Sequence, residues 1–328
     1  MLIAVFAGGA AVSLLSSAIL VSRLERVGDR LGASEALLGL LAALAADGPE
    51  ITAAVAAIAS GRGAVGLGVA LGSNVFNLAA LLGLSAIVAG RIRMDRRVIE
   101  LEGFLALAIA AFAVLVVGGG LAAPAGLGLV LAVFLPYVAI SAMRPDGRTG
   151  LPIPGPFRRW LAGTLQEEES ELAVAIHPAR GGAADAMTVA VAIAVVVAAS
   201  FVMEQAATEL GSRSGVPDIV VGGLVLAAVT SLPNAVAAVY LASRDRGEAT
   251  LSTALNSNAV NVLVGFMLPA TIAGLSGFSG GEAFVASAFL VLTAASLLAA
   301  WLGRGLGRES GAAIIAGYVL FAALLALR

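Results

Sequence analysis

The sequence predicts an all-α polytopic membrane protein of about ten transmembrane helices, arranged as two inverted five-helix repeats. Three observations carry that expectation. Of its 328 residues, 60% are hydrophobic and only 12% charged, with a mean hydropathy of +1.01, where a soluble domain is about a quarter charged. Apolar runs near the ~20 residues that cross a bilayer recur along the chain. They are continuous and rich in Ala, Leu and Val, without the alternation of a lipid-facing strand. Finally, the stretch from Ala45 to Asn77 has an ungapped echo 184 residues later.

Helix 1 is expected over Leu2–Val21. It has no basic residue before its apolar run, which argues for a first span rather than a cleaved signal. A polar turn, SRLERVGDRLGASE, follows. Helix 2 covers Ala36–Ser60, with Gly48-Pro49 as a break in its middle. Helices 3, 4 and 5 cover Ala64–Ala89, Val98–Val117 and Leu121–Ala142. A hydrophilic segment then runs from Arg144 to Asp185. Phe157, Trp160, Leu161 and Leu165 beside Arg158 and Arg159 predict a short interfacial helix there. The acidic run Glu167–Glu171 reads as a solvated linker. Five further spans are expected at Ala186–Phe201, Ile219–Ala242, Leu251–Leu275, Phe284–Leu302 and Ala312–Leu327. The expected division is a first half over 1–143, a loop over 144–185 and a second half over 186–328.

Arginine supplies all 19 basic residues, and sixteen of them fall in the loops that share one face under this topology. The positive-inside rule makes that face cytoplasmic. The central loop is then cytoplasmic and both termini lie outside, in the cell membrane of an organism expected to be prokaryotic. Arg91, Arg93, Arg96 and Arg97 read as interface anchors. Glu204, Glu209 and Asp218 read as solvated helix ends on the outer side, and His177, the only histidine, as incidental.

The internal echo organises the chain. With a shift of 184, Pro49 falls on Pro233, Glu50 on Asn234, Gly63 on Gly247, Ser73-Asn74 on Ser257-Asn258 and Asn77 on Asn261; Gly39 meets Gly223. The first copy occupies helices 2–3 (about 36–89) and the second helices 7–8 (about 219–275). Five spans separate equivalent helices, and an odd number reverses direction. Inverted repeats with broken helices meeting near the midplane are an architecture of secondary transporters.

At these residues the sequence resembles the calcium/cation antiporter superfamily of sodium/calcium and proton/calcium exchangers. Its two alpha-repeats carry G-[ST]-S-x-P-E followed by G-S-N-x-x-[ND]. Here Pro49-Glu50 and Thr230-Ser231-Leu232-Pro233 match the first motif. Gly72-Ser73-Asn74-Val75-Phe76-Asn77 and Asn256-Ser257-Asn258-Ala259-Val260-Asn261 match the second. The resemblance implies a cation site of Glu50, Asn77, Asn234 and Asn261, supported by Ser73, Ser231, Ser257 and Thr230. The chain departs from the pattern at Asn234, where the family has an acid. Asp47 stands where the family's first-repeat Ser belongs, and Ala46 replaces a Thr.

On their own terms these residues suit a hard cation. Calcium takes about six to eight oxygens. Asp47 and Glu50 offer two carboxylates, Asn77, Asn234 and Asn261 offer amide oxygens, and hydroxyls and freed carbonyls near the Pro breaks complete a shell. Two close carboxylates in low dielectric do not both ionise easily without a cation, which offers a route to proton coupling. The expected function is therefore exchange of Ca²⁺ against Na⁺ or H⁺ by alternating access. The alternatives are a monovalent cation/H⁺ exchanger and a non-transporting scaffold or sensor. The expected partners are inorganic cations and the lipid bilayer, with no nucleic acid and no cofactor. No Ser/His pair, HExxH or nucleotide loop lies in a span, so an enzyme is not expected. With no cysteine, disulfides and thiolate sites are excluded.

Overall fold

The computed structural model describes residues 1–30, 44–143, 145–148, 150–173 and 182–328. The elements are α1 (Leu2–Arg30), α2 (Gly48–Ala59), α3 (Gly63–Ala89), β1 (Arg91–Arg93), α4 (Arg96–Val117), α5 (Ala123–Ser141), α6 (Gly155–Ala173) and α7 (Ala183–Arg213). They continue as α8 (Asp218–Thr230), α9 (Leu232–Ala242), α10 (Gly247–Ala273), α11 (Gly280–Gly303), β2 (Gly305–Gly307) and α12 (Arg308–Ala326). Among the described residues eight helices are long and apolar enough to cross a membrane. The pair α8–α9, bent by 48° at Ser231, is a ninth candidate, a broken span or a re-entrant loop. The expected tenth is helix 2. Its second half is α2, preceded by helical residues 44–46, and its first half, including Gly39, lies outside the described residues. The chain thus has the fold of a polytopic helical membrane protein with about ten helices in two repeats.

Enclosure follows the repeats. Of the most apolar windows, 94% of α3 and 72% of α10 is buried, against 22% of α1, α5 and α12. The two motif-bearing helices are therefore the centre, and the others wrap them. Small residues permit this. A Cβ added at Gly72 would lie 2.6 Å from the Gly223 Cα and carbonyl oxygen, and one at Gly222 would lie 2.2 Å from the Val65 carbonyl oxygen. The backbones of α3 and α8 touch there, so the glycine that opens Gly-Ser-Asn seats the neighbouring broken helix.

Both central helices lose α-helical winding where their motifs end. Leu78–Leu84 and Asn261–Met267 are π-helical, the kind of local distortion often found at functional sites. The short ladder of β1 and β2 pairs Ile92 with Leu306, both buried, and ties the end of α3 to the turn between α11 and α12.

Three expectations are corrected. Helix 1 does not end at Val21: Ser22–Arg30 continue it, and Arg23 pairs with Asp185 at 2.8 Å. The span expected to stop at Phe201 runs on to Arg213, because Glu204 is neutralised inside the bundle. Arg62 donates to Glu204 Oε2 at 2.8 Å and Thr208 to its Oε1 at 3.0 Å. Glu204 is fully buried, so it is not a solvated helix end; Glu209, with its exposed partner Arg213, is. The central segment is more than a linker with a short interfacial helix. The 19-residue α6 buries Leu161, Thr164 and Leu165 against α4 and α10. Phe157 and Trp160 stack with ring centroids 5.7 Å apart. Residues 167–171 fall within this helix, and His177 lies outside the described residues.

Candidate cation site between the two repeats

The site is assembled at two helix breaks. Pro49 has no N–H, so the carbonyl of Ala45, four residues earlier, has no helical donor. The Ser17 hydroxyl of α1 replaces it at 2.9 Å. Asp47 occupies the N-cap position of α2 yet makes no capping bond to that helix, although Asp is among the preferred N-caps. Its carboxylate turns instead to the second repeat. Asn234 Nδ2 donates to Asp47 Oδ1 at 2.6 Å, and the Ser257 hydroxyl donates to the same oxygen at 2.7 Å. Glu50, in the first turn of α2, does likewise. Its Oε1 accepts from Asn234 Nδ2 at 3.4 Å and its Oε2 from Asn261 Nδ2. The Ser231 hydroxyl lies against the Glu50 carboxylate, outside good hydrogen-bond geometry.

Behind these residues the two repeats bond to each other reciprocally. Asn74 Nδ2 donates to the Asn258 carbonyl at 3.0 Å, and Asn258 Nδ2 to the Asn74 carbonyl at 3.3 Å. Asn77 Nδ2 donates to Asn258 Oδ1 at 3.1 Å, and Asn261 Nδ2 to Asn74 Oδ1 at 3.2 Å. Under the shift of 184 each bond of a pair becomes the other. Such exchange is the mark of a two-fold contact, so a pseudo-two-fold axis passes between Asn74 and Asn258. Those two asparagines were not among the expected site residues. Their repetition in both motifs was the available signal, and their role is to join the halves.

Seven of the nine expected residues converge: Asp47, Glu50, Asn77, Ser231, Asn234, Ser257 and Asn261, all buried. Ser73 is buried one turn before Asn77 on α3 and touches none of them through a hydrogen bond. Thr230 is buried nearby, but its hydroxyl donates to the Leu226 carbonyl at 2.9 Å within its own helix. Five oxygens of the nine residues have no hydrogen-bond partner: Asp47 Oδ2, Ser73 Oγ, Asn77 Oδ1, Ser231 Oγ and Asn261 Oδ1. Buried polar atoms are almost always paired, and orphaned oxygens beside two buried carboxylates are a set that a bound ligand can complete. Oxygens of this kind are what a hard cation requires. Among the described residues no cluster of three or more His, Cys, Asp or Glu occurs. The charge available is that of the two carboxylates.

The sodium/calcium exchanger protein family model matches residues 1–143 and 185–327, nearly the whole chain. The chain belongs to that family. Two curated proteins illustrate the relationship. Sodium/potassium/calcium exchanger 3 of Rattus norvegicus is 31% identical over 104 residues, covering 32% of this chain and 17% of that protein. Sodium/potassium/calcium exchanger 4 of Homo sapiens is 34% identical over 70 residues, 21% of this chain and 11% of that protein. The matches therefore span only a small part of those relatives. Solved exchangers share the fold. The H⁺/Ca²⁺ exchanger CAX superposes with a TM-score of 0.70 at 12% identity, covering 99% of this chain and 86% of that one. The sodium-calcium exchanger NCX_Mj does so with 0.62 at 18% identity over the full length of both chains. The family is one of exchangers, transporters of inorganic cations rather than enzymes.

Proposed function

We propose that this chain is a Ca²⁺ antiporter, exchanging Ca²⁺ against Na⁺ or H⁺ by alternating access at the site between Asp47, Glu50, Asn77, Asn234 and Asn261. The observation that carries the reading is the pair of fully buried carboxylates surrounded by unpartnered oxygens from both repeats. Two like charges in surroundings of low dielectric repel each other; one divalent cation between them cancels the repulsion. Asn234 and Asn261 currently donate N–H to the carboxylates. A half-turn about the last side-chain bond gives each an amide oxygen to offer instead. The protein thus exchanges internal hydrogen bonds for ion ligation without moving a helix.

The ligands belong to both repeats, so relative motion of the halves opens the site to one side or the other. The halves in this reading are residues 1–143 and 186–328, joined by a cytoplasmic segment, with both termini outside. The amide at Asn234 favours a second reading, exchange of a monovalent cation against H⁺.

Uptake of calcium-45 into reconstituted vesicles separates the two. Uptake driven by an imposed Na⁺ or pH gradient supports the proposal. Proton movement on Na⁺ addition with no calcium flux supports the second reading, and no flux of any cation refutes both.

A further inference from the structure

Asp47 and Ser231 are equivalent positions in the two repeats, and so are Glu50 and Asn234. The pseudo-two-fold axis therefore relates two cross-repeat contacts. In one, Asn234 Nδ2 meets Asp47 Oδ1 at 2.6 Å. In the other, the Ser231 hydroxyl lies against Glu50. Each contact contains one carboxylate and one neutral group. The acid follows the proline in the second case, and in the first it stands two residues before the proline of the opposite repeat.

We infer that Asp47 is the second charged cation ligand of this chain, supplying from the first repeat the charge that Asn234 lacks, and that the 47/234 pair sets selectivity for a divalent over a monovalent cation. This rests on the cation site proposed above. Three features of Asp47 support it. It leaves its own helix uncapped, which discards the usual gain from an Asp in that position. Its Oδ1 is held by two donors from the second repeat, Asn234 and Ser257. Its Oδ2 is buried without a partner, a costly arrangement unless another group completes it. An aspartate that served only the helix break would be bonded to α2.

The arrangement keeps one charge in each symmetry-related pair while putting both on the first repeat, on either side of Gly48-Pro49. The net charge matches a divalent ion. Removing one carboxylate leaves a site suited to a single monovalent charge.

The test uses the full-length protein in detergent, with Ca²⁺ and Na⁺ binding measured by titration calorimetry. Four forms are compared with wild type: Asp47→Asn, Glu50→Gln, Asn234→Glu and the double variant Asp47→Ser/Asn234→Glu. Asp47→Asn is expected to weaken Ca²⁺ binding by at least about tenfold while Na⁺ binding changes less, lowering the Ca²⁺/Na⁺ preference. The double variant returns the acid to the position after Pro233 and is expected to recover the wild-type preference. A purely structural Asp47 would weaken both ions together, and the double variant would not recover. If Asp47→Asn binds Ca²⁺ like wild type while Glu50→Gln does not, the inference fails and the site stands. If Glu50→Gln also binds like wild type, the site itself is misplaced and the inference falls with it. Should the double variant not fold, the isosteric pair Asp47→Asn and Glu50→Gln still decides.

Discussion

Substituting Gly72 by alanine perturbs the site without touching a ligand. The added Cβ would lie 2.6 Å from the Gly223 Cα and carbonyl oxygen, where ordinary contact begins at 3.4 Å. The obstacle is backbone, so no side chain can swing aside. The α3 and α8 backbones must separate by about 0.8 Å, a change of the size that costs roughly 1–3 kcal/mol in a packed interior. Helix α8 leads directly to Ser231 and, one turn on, Asn234, which bonds both carboxylates. A shift of that size carries Asn234 away from Asp47 and Glu50. The expected result is a lowered melting temperature in detergent and a loss of Ca²⁺ affinity in calorimetry. Gly128, on α5, provides the control, since a Cβ there meets nothing within 4 Å, and Gly128→Ala is expected to be neutral in both assays. A Gly72→Ala protein that binds Ca²⁺ with wild-type affinity would refute the claim that this close approach positions the second repeat.

Other perturbations have defined outcomes. Glu204→Gln removes the counter-charge of the partly exposed Arg62 and should cost on the order of 1 kcal/mol, read as a lowered denaturation midpoint. Arg62→Leu/Glu204→Leu should recover much of that loss if the pair is a structural bolt between α7 and the α2–α3 turn. Ser17→Ala removes the donor that serves the Ala45 carbonyl at 2.9 Å, and about 1 kcal/mol of stability should go with it; an unchanged melting curve would mean the break is satisfied in another way. Apparent Ca²⁺ affinity should fall as pH is lowered, because protons and Ca²⁺ compete for Asp47 and Glu50. Proton release on Ca²⁺ binding, measured with a pH dye in weak buffer, checks the sign, and proton uptake would contradict it.

Much of this architecture was legible in the chain because the membrane simplifies the reading. Hydropathy placed most of the spans, and the 184-residue echo paired Pro49 with Pro233 and Asn77 with Asn261 before any coordinates. The failures have a common physical origin. Hydropathy ends a span at its first charge, so it stopped at Phe201, whereas α7 continues because Arg62, remote in sequence, meets Glu204. The same blindness to partners applies to Tyr137, whose hydroxyl donates to buried Glu102 at 2.6 Å, a contact no motif announces. Thr230 shows the limit of motif transfer. Its residue type fits, but its hydroxyl is spent on the Leu226 carbonyl. The importance of Asp47 was open in the sequence, since an acid before Gly-Pro is equally a helix cap. The direction of its carboxylate, away from α2 and onto Asn234 and Ser257, could come only from the fold.

Anomalous diffraction from crystals grown in Ca²⁺ or Sr²⁺ locates a bound cation directly. One peak is expected among Asp47, Glu50, Asn77 and Asn261, with carboxylate oxygens at about 2.3–2.6 Å from Ca²⁺, and no peak in Glu50→Gln crystals prepared alike. A peak bound elsewhere, or none between the repeats at saturating cation, would contradict a cation site built from these two helix breaks.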